Sequence, residues 1–165
     1  MNASNTLFSL HIEQGREVVL QVKGSSMWPT IGSFEEVVVR PLERQPSLGE
    51  IVLLRNGSQM VVHRVIGRAS GQQGFILTKG DNCRNSDQPV AQSNIVGLAI
   101  GIKKEEGVFI PWELRAPYSW IIALLSGLEE KGYRFAPYIL RRTLYLSWRV
   151  QREWDCYKGR RLGKK

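Results

Sequence analysis

Between residues 17 and 110 the chain repeats one pattern: short runs rich in Val, Ile and Leu, punctuated by Gly, Pro, Asn and Ser. The runs are EVVLQV, EEVVVRPL, GEIVLLRN, QMVVHRVIG, GFILTKG and NIVGLAIGI. β-Branched side chains are stiff and pack well on a pleated surface, so such runs read as strands. The Asn56-Gly57 pair between two of them is a hairpin signal, because a type I′ turn needs positive φ at both central residues. It predicts that EIVLL and MVVHRVI are antiparallel neighbours. Strands this short and regular predict a mainly β fold, a small coiled sheet or partial barrel.

The pattern changes after Pro111. Residues 119–130 are predicted to form a helix with Trp120, Ile121, Leu124, Leu125 and Leu128 on one face and Ser119, Ser126 and Glu130 on the other. Gly132 is its expected stop. A second helix is expected from about Pro137, with Ile139, Leu140, Leu144, Leu146, Trp148 and Val150 on one broad side. Arg141, Arg142, Arg149 and Arg152 lie opposite. The apolar side is expected to pack on the β-rich part, and the arginines to offer weak contact to an anionic membrane surface. This divides the chain into a β-rich catalytic domain, 1–111, and an amphipathic, basic C-terminal helical extension, 112–165.

A chain of 165 residues with 42% hydrophobic content can bury one core and is too short for two large ones. The formal charge of +8 is concentrated in the tail, where residues 129–165 hold eleven Lys or Arg against four Asp or Glu. The remainder is close to neutral, so its chemistry is not that of a polyanion binder, and no nucleic acid partner is expected. Cys83 and Cys156 are far apart in sequence, and no C-x-x-C or His/Cys cluster stands at metal spacing. Neither a disulfide framework nor a metal site is expected. The N-terminus lacks the basic and apolar regions of an export signal, and the longest apolar run, WIIALL at 120–125, falls far short of the roughly 20 residues a spanning helix needs.

Three segments carry chemistry. In GSSMWPT, residues 24–30, Gly24 permits unusual dihedrals, while Pro29 fixes its own φ and biases Trp28 toward extended geometry. Such a turn can present the Ser26 hydroxyl beside backbone N–H groups able to receive an oxyanion, although Gly/Ser/Pro turns are common. Serine needs a base. Of the two histidines, His11 lies in a polar segment, whereas His63 lies in the strand MVVHRVIG. Alternation there puts Val61, His63 and Val65 on one face and Val62, Arg64 and Ile66 on the other, one polar group per face. A base works better with an orienting carboxylate, and KGDNCRNSDQP, residues 79–89, supplies Asp81 and Asp87, in what is otherwise read as an Asx-rich turn.

Taken in this order on short strands, GSSMWPT, HRV and KGDN with a following Asp resemble the signal peptidase-like serine endopeptidases of the S24/S26 type, over about residues 20–101. The histidine resembles the endoplasmic reticulum and archaeal members, since bacterial ones usually have lysine there. The resemblance implies Ser26 as nucleophile, His63 as general base, and Asp81 and Asp87 as the aspartates of the Gly-Asp-Asn box, one of which orients His63. It implies that Gly24, Ser25, Met27 and Pro29 shape the oxyanion and substrate-binding region. It also implies a peptide or preprotein substrate held extended, small side chains before the cut, a covalent acyl-enzyme and no cofactor. Two positions depart from the pattern. Gly24 stands where many members have a serine, and Gln88-Pro89 replaces the arginine often found after the last aspartate. With no anchor or export signal, the expected location is the cytoplasm, peripheral at the inner membrane face, and removal of a leader from a small peptide fits the missing anchor better than cleavage of translocated signal peptides.

Two other readings compete. One is a catalytically silent β-domain that binds a membrane surface or an acidic protein partner; intact Ser26, His63 and Asp81 favour the enzyme over it. The other is an autoproteolytic regulator, which needs an upstream DNA-binding domain and scissile bond. Only 25 residues precede Ser26, without a helix-turn-helix pattern.

Overall fold

The computed structural model describes residues 8, 10–69, 71, 73–104, 107–112, 116–130, 139, 140, 143, 144 and 147. Eight strands form one antiparallel, unclosed sheet: β1 (Val18–Gln21), β2 (Glu36–Arg40), β3 (Ile51–Asn56), β4 (Gln59–Arg68), β5 (Phe75–Lys79), β6 (Val90–Ala91), β7 (Ile95–Lys103) and β8 (Phe109–Pro111). The order is β1-β2-β7-β3-β4-β5-β6, with β8 pairing β7. β7 serves two neighbours on one side, because β3 takes its first half and β8 its last three residues. The mainly β expectation holds, and all six predicted runs are strands. β6 and β8 are too short, at two and three residues, to show a period.

The β3–β4 hairpin forms as expected, one residue further along. Asn56 pairs with Gln59, so the loop is Gly57-Ser58, and Gly57 alone has positive φ, at 59°. That requirement matches a type II′ turn, with glycine at its first central position, rather than the type I′ turn that Asn56-Gly57 implies.

Alternation sorts the side chains onto two apolar clusters. One face carries Val18, Val37, Val39, Ile51, Ala99 and Ile102, and Met27 and Ile31 from the β1–β2 connection pack into it. The other carries Val52, Leu54, Val65, Ile76, Val90, Ile95 and Leu98. Burying a Met or Ile side chain contributes about 1.5–3 kcal/mol, so Met27 and Ile31 clamp the segment around Ser26 to the sheet.

Helix α1 (Ala116–Glu130) contacts β4. Its packed side is rotated from the expected one, with Leu125 buried and Ile121 and Leu128 half-buried as members of the expected face. Ile122, Ala123, Leu125 and Ser126 are buried, whereas Leu124 is 43% exposed. The buried set mixes large and small residues, and a Cβ on Gly127 would meet the Ile66 carbonyl oxygen at 3.6 Å, an ordinary van der Waals contact. The Trp120, Ser119 and Glu130 side chains lie outside the described set, as do Gly132, the arginines assigned to the second helix, Leu146, Trp148, Val150 and the tail. Residues 139, 140, 143, 144 and 147 are helical, and Ile139 and Leu140 are exposed, so the expected apolar packing does not extend to these two. Among the described residues no helix is long and apolar enough to cross a membrane.

Candidate active site

The β1–β2 connection, residues 22–35, has Gly24 at φ 97° and contains a cis bond between Trp28 and Pro29. The Trp28 N–H donates to the Ser25 carbonyl and the Ile31 N–H to the Met27 carbonyl, closing two consecutive turns. Ser25 is exposed, Ser26 is half-buried, and Met27 and Pro29 are buried. The Met27 side chain thus belongs to the core and does not line the surface of the turn. The Ser26 carbonyl accepts the Asn82 N–H at 2.7 Å, which ties this turn to the loop after β5.

His63 hangs from β4 opposite Val52, on the second cluster's face, and is 7% exposed. Its Nδ1 lies 2.6 Å from Asp87 Oδ2. An ionised carboxylate only accepts, so Nδ1 is the donor, and in the neutral ring Nε2 is left as the free base. Asp87 is itself held twice by Thr78: Thr78 Oγ1 donates to Asp87 Oδ2 at 2.7 Å, and the Asp87 N–H donates to the Thr78 carbonyl at 2.8 Å. Thr78 sits opposite Val65, on the histidine's face.

Asp81 makes a different connection. Arg64 Nε and Nη2 each donate to its carboxylate at 2.8 Å, a bidentate pair with side chains only 2% and 1% exposed. Arg64 also donates to the Gly49 carbonyl at 2.7 Å. Of the two aspartates, Asp87 therefore contacts the imidazole, while Asp81 fixes the loop to the opposite face of β4. Lys79 is also buried and pairs opposite Arg64, which puts it on the face away from His63.

The serine turn packs on one face of the sheet and the histidine hangs from the other. They meet at Gly80, just past the end of β5. A Cβ there would lie 2.8 Å from the Ser26 carbonyl oxygen, 2.9 Å from His63 Nε2 and 2.6 Å from Cys83 Sγ. Only a residue without a side chain lets these groups crowd together. Gly80→Ala is accordingly expected to displace the Ser26 turn or the imidazole. The folded protein should remain, with any reaction that uses both groups slowed by about 10²-fold, as small misplacements of reacting groups produce; circular dichroism beside an activity assay checks both. Burial, and after it the Asp87 carboxylate, push the Cys83 thiol up from its ordinary range. Cys83 is thus a neutral thiol beside the imidazole and not a competing thiolate.

The structure brings Ser26, His63 and Asp87 to one locality and leaves Asp81 in a separate buried pair. His11 is exposed, in a helical turn at residues 10–13. Among the described residues no group of three or more His, Cys, Asp and Glu could hold a metal ion. Thr78 and Gly80 were not singled out by sequence reasoning. The signal that could have found them is the β4–β5 pairing, which sets Thr78 and the Lys79-Gly80 end of β5 beside the HRV strand.

A family model described as Peptidase S24-like matches residues 3–100, a stretch that holds the turn, the histidine strand and both aspartates. No curated protein matches the chain.

Proposed function

The chain belongs to the Peptidase S24-like family, and from that premise we propose that it is a serine endopeptidase of the signal peptidase-like type, cutting a signal or leader peptide through Ser26 and His63. The supporting observation is the His63 Nδ1–Asp87 contact of 2.6 Å, made on a ring whose Nε2 lies across Gly80 from Ser26. In this mechanism Nε2 takes the Ser26 proton and Oγ attacks the substrate carbonyl carbon. Backbone N–H groups of the segment from Gly24 to Met27 receive the oxyanion. The imidazolium then protonates the leaving amine, and a water activated by Nε2 hydrolyses the acyl-enzyme. Asp87 orients the ring and stabilises its charged form, and Thr78 orients Asp87.

β1 is an edge strand of the sheet and leads toward the Ser26 turn. Its open side offers main-chain groups to an extended peptide, which accounts for recognition by strand addition. Peptidase-family membership and the intact Ser26, His63 and Asp87 set favour this reading over a silent binding domain.

The test is exposure of the full chain to a fluorophosphonate probe and, separately, to a proteome-derived peptide pool. Labelling confined to Ser26 and cuts preceded by small side chains are expected. No labelling and no cleavage overturns the proposal. His63→Gln and Asp87→Asn should each lower kcat by about 10²- to 10⁴-fold with KM nearly unchanged, since neither group supplies substrate binding. Steady-state kinetics on one peptide from the pool gives both parameters.

A further inference from the structure

The cleavage steps leave one group at Gly80 unused. Cys83 stands three residues on, half-buried between the exposed Asn82 and Arg84. Its N–H donates to the Gly80 carbonyl at 2.9 Å, a tight turn that folds the side chain back over the glycine. A Cβ on Gly80 would lie 2.6 Å from Cys83 Sγ and 2.9 Å from His63 Nε2, so sulfur and ring nitrogen border the same notch.

The imidazole is 7% exposed and committed at one nitrogen only. Nδ1 is held by Asp87 at 2.6 Å, while Nε2 has no hydrogen-bond partner among the described residues and is aimed into the notch. Burial, and after it the Asp87 carboxylate, keep the resting Cys83 thiol protonated. Such a thiol is slow toward a disulfide, because the thiolate is the nucleophile. A base in the same notch removes that barrier by taking the proton as the sulfur attacks. The half-buried position sets the other limit. A reagent must approach Sγ from the solvent side, between Asn82 and Arg84, which favours a small one.

We propose that Cys83 is a covalent modification site for a small disulfide, with His63 as its base, and that the modified chain is a switched-off hydrolase; this last part rests on the peptidase reading. His63 Nε2 takes the thiol proton and Sγ attacks one sulfur of the disulfide. The S–S bond breaks, and the departing thiolate recovers the proton from Nε2. The products are a mixed disulfide at Cys83 and one free thiol, and excess thiol reverses the exchange. Even a methyl group on Gly80 would crowd Sγ, Nε2 and the Ser26 carbonyl, so the added group displaces the imidazole or the serine turn.

Mass mapping of the full chain after treatment with bis(2-hydroxyethyl) disulfide tests this, beside the rate at which a fluorophosphonate labels Ser26. A hydroxyethylthio group on Cys83 is expected, with Ser26 labelling slowed about tenfold or more and both changes reversed by dithiothreitol. Cys83→Ser should label as fast as wild type and keep that rate in the disulfide. His63→Gln should slow the adduct at Cys83 about tenfold, and Asp87→Asn should slow it as well, since Nε2 then carries the proton that Nδ1 gives up. Thermal melts establish that each variant is folded. An unmodified Cys83, an adduct formed at the wild-type rate in folded His63→Gln and Asp87→Asn, or an adduct that leaves Ser26 labelling unchanged overturns the proposal. Absence of Ser26 labelling before any treatment removes the peptidase reading and the switch with it, while the His63-dependent adduct is decided by the mapping alone.

Discussion

Ser26→Ala is expected to lower peptide cleavage by about 10⁴-fold or more while leaving the melting temperature nearly unchanged. The two halves of this result have separate causes. In the proposed mechanism the hydroxyl forms the covalent bond, and its neighbours are poor substitutes: burial raises the Cys83 thiol above its ordinary range, and Ser25 is exposed. Stability, by contrast, comes to this segment from Met27 and Ile31 in the core and from the Asn82 N–H on the Ser26 carbonyl, all of which an alanine keeps. Ser25→Ala should be nearly silent. Residual cleavage by Ser26→Ala close to the wild-type rate would remove Ser26 as nucleophile.

Asp81→Ala should be the reverse case, a large loss of stability. It strands the Arg64 guanidinium, whose side chain is only 2% exposed, without its carboxylate. Removing one partner of such a buried pair costs about 3–5 kcal/mol, because the remaining charge is left desolvated. The Arg64→Met/Asp81→Leu double variant should recover part of that loss, since no charge then remains buried. Urea denaturation of the three proteins measures the difference. A double variant less stable than Asp81→Ala would contradict this account and place the weight on the Arg64 bonds to Gly49 and Thr30.

The sheet was legible because its strands are written in Val, Ile and Leu with glycine and proline at their ends, and the hairpin because Gly57 must sit at positive φ. Sheet order was not legible. That β7 lies between β2 and β3 depends on which edges bury apolar surface together, and no local pattern in NIVGLAIGI states it. The same limit applied to the two aspartates. Asp81 and Asp87 share one polar loop in sequence, and only the pairing of β4 with β5 sends one to Arg64 and the other to His63. Helix α1 was legible as a helix and partly misread in rotation: Leu125 is buried as the stripe implies, but Leu124 is exposed and Ser126 and Ile122 are buried.

The insertion of β7 between β2 and β3 bears on when the molecule becomes competent. The strand that joins the serine-bearing half of the sheet to the histidine-bearing half is the seventh to leave the ribosome. Until residues 95–103 have emerged, β1–β2 and β3–β6 are two pieces with no shared ladder between them. Long-range strand pairing is slow, since the loop between the partners must close before any contact compensates for it. The ladder joining the hydroxyl-bearing half to the imidazole-bearing half is thus complete only when the seventh strand has been made, and before that the two halves can meet only through side contacts such as the Asn82 N–H on the Ser26 carbonyl.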